Sequence, residues 1–212
     1  MKILSQLMAL TALLLITACS SNEQAAETTT DGPDYSLSYD LYIKGGTIVD
    51  GSGASSYAGD LLVSGDKIAY VGDVDASKVT ASQTVDAAGK VVSPGFIDAH
   101  SHGDPLQEDN DHLRSFLRQG ITTVVLGQDG GNPGYNSDIS FEDFIQQVNE
   151  QKSGPNVATL VGHGAIRRLS GGGEKDTVSP EDQANMEALL TQAMEAGAYG
   201  LGTGLEYVPG RY

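Results

Sequence analysis

Two histidines separated by one residue, His100-Ser101-His102, are the groups in this 212-residue chain best suited to chemistry. Alternate residues of an extended chain face the same side, so imidazoles at this spacing can grip one metal ion. They follow Phe96-Ile97-Asp98-Ala99, a short apolar run read as a buried strand. That places them at a strand's C-terminal end, where α/β barrels carry their sites. Standing alone, a His-x-His pair is a weak signal, because ordinary surface histidines also produce it. Asp129 follows a second apolar run, Ile121 to Leu126. It is either a further ligand, as a carboxylate oxygen, or a turn residue ahead of Gly130-Gly131. His163 lies between two glycines and reads as a loop histidine that touches metal or substrate, or has no role. Arg167 and Arg168 can hold a carboxylate or pair with surface acids.

Several other chemistries are excluded. The chain carries 12 basic and 28 acidic residues, a net charge of −16, which repels nucleic acid. The acids are scattered and form no tail. The acid-rich stretch Asp104 to Asp111 lacks the glycine and terminal glutamate of an EF-hand loop and reads as a solvated loop. No serine-centred nucleophile elbow occurs. The glycines from Gly200 to Gly204 mimic a phosphate-binding turn, but they fall within an expected strand instead of opening a helix. They leave room for something to approach closely. With a single cysteine, Cys19, no internal disulfide can form.

The elements that must position these groups fall into two styles. From Tyr39 to Val74, short β-type runs alternate with Gly-rich turns such as Gly45-Gly46 and Ser64-Gly65-Asp66, which predicts hairpins in a small sheet. Strand character continues to Val92. After Pro94 the pattern becomes strand, helix, strand, helix. Strands are predicted at 96–100, 121–126, 157–161 and 199–207, and helices at 111–119, 140–152 and 179–196. Ser140 and Ser179 are N-caps, Pro180 opens its helix and Gly197 ends it. Such alternation predicts an α/β fold with a parallel sheet.

Ser93-Pro94-Gly95-Phe96-Ile97-Asp98-Ala99-His100-Ser101-His102 resembles the first-strand signature of the amidohydrolase superfamily. Gln119-Gly120-Ile121-Thr122-Thr123-Val124-Val125-Leu126-Gly127-Gln128-Asp129-Gly130 resembles the second strand of its D-aminoacylase (N-acyl-D-amino-acid deacylase) family. Many members have Asn-Cys-Gly at that point, the cysteine being a zinc ligand; here the trio is Gln128-Asp129-Gly130. Val161 to Arg167 resembles the end of the third strand, and Gly200 to Gly210 the fourth. The resemblance covers nearly all of Tyr39 to Tyr212.

It implies an incomplete TIM (β/α)8 barrel, with about four strands in residues 94–212, preceded by a β-sandwich segment at 35–93. It implies a metal-dependent hydrolase of linear amide bonds, cleaving N-acyl-D-amino acids with one or two divalent ions, zinc foremost. His100 and His102 would be metal ligands, with Asp129 and Glu206 as candidates; Glu206 either bridges two metals or forms part of the wall. Tyr207 would bind substrate, with His163 and Arg167 in support. Two further histidine ligands and a catalytic aspartate come from later strands in that family, so no catalytic residue is assigned within 1–212, which alone is expected to be inactive. Dihydroorotase-like or dipeptidase-like cleavage, or a lipid-anchored binding protein without catalysis, are the alternatives.

Lys2, the apolar stretch Ile3 to Ile16 and then Thr17-Ala18-Cys19 resemble a lipoprotein signal peptide over residues 1–18, with lipid on Cys19. Cleavage there leaves 11 basic and 28 acidic residues, a balance of −17. Residues 19–34 are polar and form a flexible tether. The resemblance implies anchoring to a bacterial membrane, the outer membrane being compatible with Ser20, facing the periplasm or the exterior.

Overall fold

A computed structural model describes residues 32–106, 111–131, 139–152 and 154–210. Cys19, the signal peptide and most of the tether lie outside the described residues. The chain forms two compact units that adjoin in sequence at Ser93 and Pro94. No helix among the described residues is long and apolar enough to cross a membrane.

The first unit is a five-stranded mixed sheet. Strands β1 (Ser38–Ile48), β2 (Tyr57–Ser64) and β3 (Lys67–Gly72) form antiparallel pairs. The β2–β3 turn has Gly65 at φ 60°, which suits a residue without Cβ. Strands β4 (Thr80–Asp86) and β5 (Val91–Val92) both run parallel to β1. Tyr39, Tyr42, Leu62 and Val74 are its buried core. The sandwich expected at 35–93 is therefore represented by one sheet among the described residues. Strands β1 to β5 all hydrogen-bond into that sheet.

The second unit alternates strands and helices. Strand β6 (Phe96–Asp98) pairs parallel to β7 (Ile121–Leu126), and β7 pairs parallel to β8 (Asn156–Thr159). After Leu160 the chain continues as β9 (Val161–Gly162), parallel to β10 (Leu201–Gly202). Leu160 N–H donates to Leu126 while Val161 N–H donates to Gly200, so the strand exchanges one neighbour for the next there. Helices α1 (Asp111–Arg118), α2 (Phe141–Gln151), α3 (His163–Leu169) and α4 (Pro180–Glu195) complete the unit. Phe141, Phe144 and Val148 of α2 share a buried cluster with Val161, Ala165, Ile166, Ala193 and Ala198.

Local chemistry sets the helix boundaries. Ser140 accepts from Asp143 N–H at the start of α2. Ser179 and Asp182 form a reciprocal capping box at the start of α4, with Pro180 in its first turn. Gly197, at φ 105°, follows the last turn. The predicted fourth strand, 199–207, is much shorter: only Leu201–Gly202 pairs, and turns occupy 205–210. Glycines weaken strand propagation, and those at 202 and 204 are needed for a close backbone approach.

Candidate metal centre

Strand β6 ends at Asp98, so His100 and His102 lie beyond the ladder and not on the strand itself. Their alternation survives because the residue between them is anchored. Ser101 N–H donates to Val125 O at 2.9 Å, and its hydroxyl accepts from Gly103 N–H at 3.3 Å. Ser101 is 4% exposed. With the middle residue turned inward, both flanking imidazoles turn outward, their ring centroids 5.3 Å apart.

Asp129 reaches the same point from the end of β7. Gln128, just before it, donates through Nε2 to the carbonyls of Ala99 and Val125, tying the two strand exits together. One carboxylate oxygen, Asp129 Oδ2, then lies 3.2 Å from His100 Nε2 and 3.1 Å from His102 Nε2. Behind Asp129 the backbone is clamped. Gly130 O accepts from Ala165 N–H at 3.1 Å, at the start of α3. A Cβ on Gly130 would lie 2.9 Å from Gly204 N, and one on Gly204 would overlap the Asp129 carbonyl oxygen. Only glycine at both positions lets the 129–130 and 204 segments meet.

His100, His102 and Asp129 each offer one donor atom, and these atoms lie within 4.8 Å of one another. Two imidazole nitrogens and a carboxylate oxygen suit a divalent ion such as zinc, and three protein ligands leave a position open. The donor set therefore fits the expected metal. Glu206 is exposed in the 205–210 turns and is not part of this group.

A cavity of about 540 Å³ adjoins the group and is lined by His102, Asp129, Arg168, Tyr207 and Val208 among others. Tyr207 thus borders the same space as two of the three donors. His163 does not sit in a loop: with Gly162 as its cap, it opens α3. Its Nδ1 is buried and has no hydrogen-bond partner among the described residues. Burial, and secondarily the charge of Arg167, hold its pKa below the usual imidazole value. Arg167 is 7% exposed and donates from Nε to Gly173 O at 3.0 Å and from Nη2 to Lys175 O. Its guanidinium is engaged by the backbone of the following loop, and the cavity receives Arg168 instead.

Sequence reasoning assigned no role to Gln128 or to the contacts of Gly130 and Gly204. The only signals were a polar residue before Asp129 and unusually dense glycine after 200. Neither signal specifies a contact between segments far apart in the chain.

Over 190 residues the chain is 34% identical to an N-acyl-D-glutamate deacylase of Alcaligenes xylosoxydans xylosoxydans, covering 81% of this chain and 38% of that one. A D-aminoacylase of the same organism is also 34% identical, over 81% of this chain and 39% of its own. Among solved structures, N-acyl-D-glutamate deacylase from Bordetella bronchiseptica, complexed with zinc and a phosphonate inhibitor, superposes with a TM-score of 0.74. It is 35% identical, with 82% of this chain and 40% of that one covered. A structure concerned with the binuclear metal centre of D-aminoacylase gives a TM-score of 0.74 at 33% identity, with 82% of this chain and 40% of that one covered. No protein-family model matches. The chain spans about two fifths of the length of these relatives.

Proposed function

Because this chain belongs to the D-aminoacylase family of the amidohydrolases, we propose that the protein hydrolyses the amide bond of N-acyl-D-amino acids at a metal centre held in part by His100, His102 and Asp129. The observation that carries this reading is the convergence of both Nε2 atoms on one carboxylate oxygen, at 3.1 and 3.2 Å. A bound divalent ion, zinc first among the candidates, supplies Lewis acidity that polarises the amide carbonyl and makes water acidic enough to attack near neutral pH.

The chain's own residues then have separate tasks. His100 and His102 supply neutral nitrogen donors, and Asp129 supplies charge that offsets the cation. Gln128 holds the two strand exits at a fixed spacing through its bonds to Ala99 and Val125. Tyr207, exposed on the cavity wall, offers an aromatic face and a hydroxyl to the substrate. Further ligands and the group that carries the proton to the leaving amine belong, in this proposal, to strands outside 1–212.

The same reading treats the parallel strands β6 to β10 as the first part of an eight-stranded barrel. Phe96 and Ile97 on β6, an edge of the three-stranded sheet, and Leu201 on β10, an edge of the two-stranded sheet, are exposed apolar residues, which supports reading them as edges of a barrel left open. We also propose that Cys19 carries lipid and tethers the protein to a membrane. The support is the sequence of residues 1–19, and Cys19→Ala should move the protein into the soluble fraction.

The test of the main reading is hydrolysis by the full-length protein of a panel of N-acetyl D- and L-amino acids, read together with metal content. Metal-dependent turnover of D-substrates is expected. Turnover of cyclic amides or dipeptides alone would favour a dihydroorotase-like or dipeptidase-like enzyme. Binding without turnover would favour a non-catalytic protein.

A further inference from the structure

The adjacent arginines of α3 have opposite surroundings. Neighbouring helix positions project about 100° apart, so one of a consecutive pair can turn inward while the other turns out. Arg167 is buried and committed to the carbonyls of Gly173 and Lys175. Arg168 is exposed and lines the cavity with His102, Asp129 and Tyr207, and its guanidinium makes no hydrogen bond or ion pair among the described residues. It is the sole lysine or arginine among the described residues lining that cavity.

The cavity is therefore bipolar: metal donors at one part of its wall, a permanent cation at another, and Tyr207, Val208 and Pro209 contributing apolar surface. We infer that Arg168 is a specificity-determining residue that grips a carboxylate of the substrate. A guanidinium presents a planar fork that matches a carboxylate with two parallel hydrogen bonds and remains charged at any physiological pH. In a chain of net charge −16, a cation left free at a cavity wall also draws an anionic ligand to that wall in preference to the surrounding surface. The inference rests on the hydrolase reading for the identity of its ligand. An N-acyl amino acid offers two sources of the group: the α-carboxylate that every such substrate carries, and the side-chain carboxylate of an acidic one.

The experiment uses the full-length, zinc-loaded protein with N-acetyl-D-glutamate, its α-carboxamide and its side-chain carboxamide. Wild type and Arg168→Gln are compared by calorimetric binding and by KM, with Arg168→Lys as the conservative variant. Arg168→Gln should weaken recognition of one carboxylate about tenfold to a hundredfold, as expected for loss of a charge-assisted hydrogen-bonded pair. It should also erase the wild-type preference for that carboxylate over its amide. Arg168→Lys should retain part of the preference. Loss confined to the α-carboxamide comparison identifies the α-carboxylate as the partner; loss confined to the other identifies the side chain. An undiminished preference for both carboxylates in Arg168→Gln would overturn the inference while leaving the hydrolase reading intact. Arg168-dependent binding without turnover would do the reverse. A wild type that neither binds nor cleaves these compounds would sink both.

Discussion

The two units use their acidic residues in opposite ways. In the first, carboxylates are consumed in bracing the sheet and its turns. Asp60 accepts from Tyr42 OH at 3.0 Å and from Gly45 N–H at 2.6 Å, and Asp40 accepts from Gly65 N–H at 2.6 Å. Asp34, Asp50 and Asp75 each close a turn on a serine two residues on, and those bonds lower their pKa values. In the second unit Asp182 behaves likewise, bonded to Lys175 and to the Ser179 cap. Asp129 does not. It faces two imidazoles from another strand exit, about 30 residues away in sequence. The nearby His163 Nδ1 and Gln128 Oε1 are buried without partners among the described residues. The bracing carboxylates are satisfied by backbone N–H groups, hydroxyls and a lysine; Asp129 is paired with two imidazoles that can also serve as metal donors. The difference marks where the chain accepts a local cost, since an unpaired buried polar group is unfavourable.

The sharpest way to break this comparison is to remove the imidazoles. His100→Ala combined with His102→Ala should bring metal content of the full-length protein to background and abolish hydrolysis, with secondary structure unchanged by circular dichroism. Wild-type metal content in that variant would mean the site has been misidentified. Next in size is Gly204→Ala, whose new methyl group meets the Asp129 carbonyl. Displacing that backbone should cost about 3 kcal/mol by denaturant titration, the upper part of the usual range for overpacking. It should also weaken metal affinity about tenfold to a hundredfold, as loss of a ligand-orienting contact does. Full metal affinity would show that Asp129 is not positioned from behind.

Smaller effects test the bracing carboxylates. Ser179→Ala removes the α4 cap and should cost about 1 kcal/mol. Its partner Asp182 has its pKa pulled down to about 2, chiefly by Lys175 and then by Ser179. The unfolded chain takes up this proton first as pH falls, from the ordinary carboxylate value of 3.8. The stability Asp182 contributes is therefore present above pH 3.8 and lost on descending through about 2. Acid unfolding of Asp182→Asn should lack that limb. The smallest effect is expected in the first unit: Asp60→Asn should cost about 0.5 kcal/mol and leave metal content untouched. Burial, and then Asp60, push the Tyr42 pKa up to about 12. Ultraviolet titration of the variant should bring this phenol down toward its ordinary value of 10. A loss of metal from Asp60→Asn would erase the contrast between the units.

Much of this was legible in sequence wherever the determining interaction is local. Ser140, Ser179, Pro180 and Gly197 bound their helices because capping atoms lie within a few residues of the backbone groups they serve. The two imidazoles of His100-Ser101-His102 lie together, although the ladder stops at Asp98, because Ser101 hydrogen-bonds to β7 just past the last paired residue. The fourth strand was overestimated, since propensity over 199–207 says nothing about the backbone that must pass beside Gly202 and Gly204. His163 was read as a loop residue, although flanking glycines do not prevent a helix that begins on Gly162.

What the sequence by itself determined is therefore the order of elements and their caps, set by contacts within one turn or one strand, and the spacing of the two imidazoles along the chain. Only the tertiary structure decided that Asp129 joins those imidazoles and Glu206 does not. It also decided that Arg167 is spent on the loop behind it while Arg168 is left in the cavity. These outcomes depend on which strand exits and turns come together, and on which side of α3 faces the core. Such long-range packing is a collective result that no short stretch of residues encodes on its own.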